Sequence, residues 1–128
     1  MYIRFVIAKQ DEQSGRRQGI FYASYALADL GILSVAELAV LEEIHGWFAK
    51  HLAEPTRASW SVRPHAKGQA LSWFKESAVT HVSKMRVLQA VLKEHDIFPE
   101  VLRTARPGYV VYEDAHQILA YPFADTPT

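Results

Sequence analysis

The chain contains no cysteine. That excludes disulfides, thiolate nucleophiles and every zinc or iron–sulfur site built on cysteine. It also carries no charge excess of either sign: Lys plus Arg total 14, Asp plus Glu total 14, and the formal net charge is zero. Nucleic-acid binders usually show a clear basic surplus, so a nucleic-acid partner is disfavoured on composition. No stretch approaches the roughly 18 apolar residues needed to span a bilayer. The opening Met-Tyr-Ile-Arg-Phe-Val-Ile-Ala-Lys lacks the basic segment and long apolar run of a signal peptide. The expectation is a cytoplasmic protein with no membrane partner.

What is present is ordinary globular material. Of 128 residues, 49% are hydrophobic and 22% charged, too apolar and too evenly charged for a disordered chain. The length suits one domain, residues 1–128, with a tail frayed from about 123 to 128.

Residues 2–8 are β-branched and aromatic, and read as a strand buried on both faces. Lys9 to Gly19 is polar, with two glycines, and reads as a loop. Ile20 to Leu30 reads as a helix, ended by Gly31. Ser34 and Glu37 form a capping-box pattern ahead of a second helix, with Leu38, Leu41, Ile44, Phe48 and Leu52 at helical spacing. Ala53 to Gln69 reads as a long basic loop. A third helix is predicted over Ala70 to His95, from Leu71, Phe74, Ala78, His81, Met85, Leu88 and Leu92, which step by threes and fours. Glu100 to Thr104 reads as a short strand. Tyr109–Tyr112 and Gln117–Tyr121 read as a hairpin, with Tyr112 opposite Gln117, Val111 opposite Ile118 and Val110 opposite Leu119. The expected fold is α+β: order β-ααα-βββ, the helices on one face of a small antiparallel sheet, and the first strand joined to the C-terminal hairpin.

The candidate site residues are scattered. His81 lies at the centre of an apolar stripe, where an imidazole must find a hydrogen-bond partner. His81 and His65 are the catalytic acid–base candidates. Arg57, Trp60, Arg63, His65 and Lys67 share the long loop, where guanidinium groups suit anions and the indole offers a stacking face. Arg16 and Arg17 precede a helix N-terminus but lack the ending of a phosphate-binding loop. Glu42 and His45 show one Glu-x-x-His spacing, whereas di-iron bundles need two. Glu113, Asp114 and His116 cluster at the hairpin tip, where acidic residues also serve as turn formers. No metal and no cofactor is implied.

No nucleophile elbow, zinc-protease pattern or phosphate-binding loop is present. The reading that assumes least is a non-enzymatic binding or regulatory module, acting on a protein partner or as a homo-oligomer. The first alternative is an enzyme or binder of a small phosphate or carboxylate ligand, using the loop arginines and a histidine. The second is a single-stranded nucleic-acid binder.

Overall fold

The computed structural model describes residues 1–12, 14–54 and 69–128. In chain order the elements are β1 (Tyr2–Gln10), β2 (Arg17–Gly19), α1 (Ile20–Asp29), α2 (Val35–His51), β3 (Leu71–Lys75), α3 (Val79–Glu94), β4 (Glu100–Thr104), β5 (Tyr109–Glu113) and β6 (Gln117–Tyr121). The fold is mixed α+β, with an antiparallel sheet of six strands among the described residues.

The helix starts and stops follow local rules. Gly31, at φ +69°, takes the left-handed turn after α1. The Ser34 hydroxyl accepts from the Glu37 N–H, and the Glu37 carboxylate accepts from the Ser34 N–H, closing the capping box on α2. Glu37 also accepts from His95 just past the end of α3, at 2.6 Å, so this one carboxylate joins two helix ends.

The predicted helix from Ala70 is corrected in its first turns. Leu71–Lys75 is a strand, and the helix starts only at Val79. Leu71 and Phe74, three apart, satisfy a helical stripe. In the strand they point to opposite faces, Leu71 beside Ala120 and Phe74 beside Ile3. The rest of the stripe stands: His81, Met85, Leu88 and Leu92 are the buried face of α3. The element order is therefore β-β-α-α-β-α-β-β-β. The stretch read as a loop from Lys9 also contributes the end of β1 and all of β2.

The sheet order corrects a second expectation. β1 does not pair with the hairpin, because β3 stands between β1 and β6. One edge of β1 carries β4, paired from Tyr2↔Thr104 to Val6↔Glu100. The other edge is shared by β3 at Tyr2 and Ile3 and by β2 at Val6 and Gln10.

The hairpin register also differs from expectation. Tyr112 faces Leu119 and Glu113 faces Ile118, with an irregularity between Val110 and Tyr112. Asp114 accounts for the tight turn. Its carboxylate accepts from the N–H groups of His116 and Gln117, and its own N–H donates to the Gln117 carbonyl. The connection is thereby shortened and β5 runs to Glu113.

Two apolar clusters result. Ile3 and Phe5 of β1 meet Ile20, Ala23 and Leu27 of α1, Leu41, Ile44 and Phe48 of α2, and Met85, Leu88 and Leu92 of α3. Val6, Leu71, Trp73, Leu102, Ile118 and Ala120 form the second, on the other side of the sheet. The C-terminal residues make several hydrogen bonds. The Thr126 hydroxyl donates to the Arg106 carbonyl, and Arg17 Nε–H donates to the Thr128 carbonyl at 3.0 Å.

Candidate functional site

The most unusual feature of the fold sits where β2 and β3 share an edge of β1. Arg4 and Phe5 lie between the two pairings and are paired by neither strand on that edge. Strand alternation turns Phe5 toward the helices and Arg4 away from them. Arg4 is nevertheless only 9% exposed. Its guanidinium bridges the gap, with one Nη donating to the Arg17 carbonyl at 2.8 Å and the other making a long 3.5 Å contact to the Ser72 carbonyl. Among the described residues its Nε–H has no acceptor. Neither does the indole Nε1–H of Trp73, which is 1% exposed. No ion pair to Arg4 forms among the described residues. Burial pushes its guanidinium down to about 10. The charge of Asp11 works against that shift and the charge of Arg17 works with it.

A cavity of about 160 Å³ opens beside this pair. Phe5, Ile20, Phe21, Leu52, Phe74 and Met85 supply its apolar wall, and Arg4, Trp73 and Gln117 are also among its lining residues. Gln117 is already committed, donating to the Ala53 carbonyl at 2.7 Å and to Asp114 at 3.0 Å. An orphaned buried donor costs about 1–3 kcal/mol, and an uncompensated buried charge costs more.

A second cleft gathers Trp47, His51, His81 and His116 with Ser77–Thr80 at the start of α3. His81 Nε2–H donates to the His51 carbonyl at 2.8 Å, and its ring stacks on His116 at 4.3 Å. His51 stacks on Trp47 and donates to the Trp47 carbonyl. His81 therefore meets its hydrogen-bonding need through the backbone. Burial lowers its pKa from the ordinary histidine value. The bond to the His51 carbonyl and the charge of Asp114 oppose this, while His116 and His51 add to it. For Asp114, burial alone would raise the carboxyl. The bonds from His116, Gln117 and Tyr112 outweigh burial and hold it below the usual carboxylate value. Both groups bind fewer protons folded than unfolded. The stability tied to His81 is present above about pH 6.5 and is lost as pH falls through its lowered value. Asp114 adds a further loss below about pH 4. The melting temperature is expected to drop between pH 7 and pH 5, and less steeply in His81→Phe. Equal slopes in calorimetry would remove His81 as the source.

The other sequence candidates do not converge on either place. Arg16 is exposed. Arg17 is committed to Glu100 and to the Thr128 carbonyl, although its own carbonyl anchors Arg4. Arg57, Trp60, Arg63, His65 and Lys67 lie outside the described residues. Glu42 is exposed, while His45 turns inward to Ser24 at 2.8 Å. That serine–histidine contact is not a nucleophile–base pair. The Ser24 proton goes to the Phe21 carbonyl, so His45 must donate to the hydroxyl, and Ser24 is fully buried. At the hairpin tip, Glu113 pairs with Lys75, and Asp114 is occupied by its own turn and by the Tyr112 hydroxyl. Among the described residues no group of three or more His, Asp or Glu side chains is arranged to hold a metal ion. None of the described helices is long and apolar enough to cross a membrane.

Arg4 and Trp73 were missed from sequence. One signal was available: a strand read as buried on both faces must bury the arginine at its centre. Compared with family models, with curated proteins and with solved structures, the chain matches none.

Proposed function

We propose that this chain is a non-enzymatic binding protein for a small anion, held in the cavity between β2 and β3. The observation that carries this reading is the buried guanidinium of Arg4, which has no ion pair among the described residues and one N–H without an acceptor. An arginine usually reaches such a depth only with a carboxylate or phosphate partner. A ligand anion would add a close ion pair to the longer-range charge of Asp11. The reading keeps the small-anion alternative drawn from the sequence but moves its cation from the loops to β1. A catalytic reading has less support, because the one serine–histidine contact among the described residues has its proton donor on the wrong side.

The test is thermal unfolding in sodium formate, acetate, benzoate, phosphate and sulfate at constant ionic strength. A ligand at a hundredfold over its Kd adds about 2.7 kcal/mol, which for a chain of this size moves the Tm by roughly 10 °C. At least one anion is expected to raise the Tm of the wild type and leave Arg4→Met unmoved. If every anion shifts both proteins alike, the cavity is not an anion site.

A further inference from the structure

We propose that the stacked rings of His81 and His116 form a proton-operated gate over the cleft between α2 and the start of α3, closed near neutral pH and open in acid. The gate is independent of the anion site beside Arg4.

The two rings differ in what holds them. His81 is fixed on the buried face of α3, where its Nε2–H donates to the His51 carbonyl at 2.8 Å. Trp47, Phe48 and Phe74 surround it, with ring centroids 4.8, 6.0 and 6.2 Å away. His116 is exposed, and its backbone is anchored on both sides. Its N–H donates to Asp114 Oδ1 at 2.8 Å, and its carbonyl accepts from the Lys75 N–H at 2.9 Å. Its ring makes no hydrogen bond among the described residues, and the stack on His81, at 4.3 Å and 27°, positions it. The ring can therefore leave by side-chain rotation while β3 and β6 stay paired.

Charge sets where the gate rests. Neutral imidazoles stack without electrostatic cost, whereas two imidazolium rings at this spacing repel. The Nε2 proton of His81 is committed, so a second proton goes to Nδ1, which makes no hydrogen bond among the described residues. The surrounding charged groups do little to offset it. His51 stands at the end of α2, and Lys84 of α3 lies over Trp47 at 5.5 Å. Lys75 of β3 is paired with Glu113 of β5. Among the described residues Asp114 is the one carboxylate that favours charge on His81, and it already accepts from Tyr112, His116 and Gln117. Burial first, and then the charges of His116 and His51, hold the His81 imidazole below its ordinary value. The closed gate thus binds fewer protons at His81 than a hydrated, open one, and acid favours opening.

The cleft beneath measures about 290 Å³, and Trp47, His51 and Ser77–Thr80 line it together with the two rings. Outward rotation of His116 uncovers the His81 ring. Access to this cleft is thereby set by pH.

The test is an NMR titration of the 13C,15N-labelled full chain from about pH 8 to about pH 5, the range in which imidazoles change charge. The ring Cε1–H signals report charging and are assigned by their absence in His81→Phe and His116→Ala. Nuclear Overhauser contacts between the two rings report the stack. These contacts are expected to fade with the same midpoint as the charging of His81, while contacts between β3, β5 and β6 persist. In His116→Ala the His81 midpoint should rise, because one opposing charge is gone. In His81→Phe the contacts from position 81 to His116 should survive the whole titration. Inter-ring contacts that remain after His81 has charged would overturn the gate. Loss of those contacts only together with the strand contacts would overturn it too, as would an unshifted His81 midpoint in His116→Ala or an acid-opened ring in His81→Phe.

Discussion

Replacing Arg4 by methionine is expected to raise the melting temperature of the ligand-free protein. Arginine in this position carries a desolvated charge with no ion pair among the described residues. Methionine has a similar reach, no charge and enough flexibility to fill the gap between β2 and β3. Substituting buried charged groups by apolar ones of similar volume is often neutral or stabilising, by about 1–4 kcal/mol. Two losses oppose the gain. The Arg17 carbonyl loses a 2.8 Å bond and the Ser72 carbonyl a weak one at 3.5 Å. A net gain of about 1–2 kcal/mol is expected, or roughly 5 °C in calorimetry. A stability gain joined to a loss of anion response is the signature of a residue kept for binding. A clear loss of stability would instead identify Arg4 as a structural bridge between two strands that do not pair with each other.

Gly108→Ala is expected to be the most destabilising of the glycine-to-alanine changes among Gly15, Gly19, Gly31, Gly46 and Gly108. Gly108 sits at φ +135°, on the side of backbone space that side chains avoid. A Cβ there would lie 1.8 Å from the Tyr121 carbonyl oxygen and 2.9 Å from Pro122 Cα. These are backbone atoms at the first pair of the hairpin, Tyr109↔Tyr121, so no side-chain rotation relieves the clash. Backbone strain of this kind costs about 1–3 kcal/mol, and separating β5 from β6 adds to it. The Tm should fall by on the order of 10 °C. Hydrogen exchange should show protection lost first along β5. Among the described residues that strand is paired only with β6, whereas β6 keeps its pairing with β3. Uniform loss across the sheet would mean that β5 and β6 do not open separately.

Where structure follows from short-range chemistry, it is legible in the sequence. The capping box at Ser34, the glycine after α1, the apolar strand at the N-terminus and the C-terminal hairpin all rest on residues within a few positions of one another. Leu71 to Phe74 could not be read that way. The spacing suits a helix turn and a strand alike, and only pairing with Gln117–Ala120, more than forty residues away, selects the strand. The hairpin slipped from its expected register because the Asp114 side chain closed the turn early and an irregularity near Val111 took up the offset.

The candidate site divides in the same way. That β1 carries a charged residue among apolar ones is plain in Tyr2-Ile3-Arg4-Phe5-Val6-Ile7, and so is the histidine within the stripe of α3. What these residues face is a tertiary matter. The gap beside Arg4 exists because two short strands, separated by more than fifty residues, share one edge of β1 without meeting. The unsatisfied donors of Arg4 and Trp73 come together only when that edge is formed. Burial and hydrogen-bond satisfaction are properties of the assembled sheet, not of any local run of residues. The sequence by itself therefore determined the ends that local caps define and the existence of the first strand and the hairpin, and the tertiary structure decided that Leu71–Lys75 is a strand, how the strands pair, and which polar groups lack partners among the described residues.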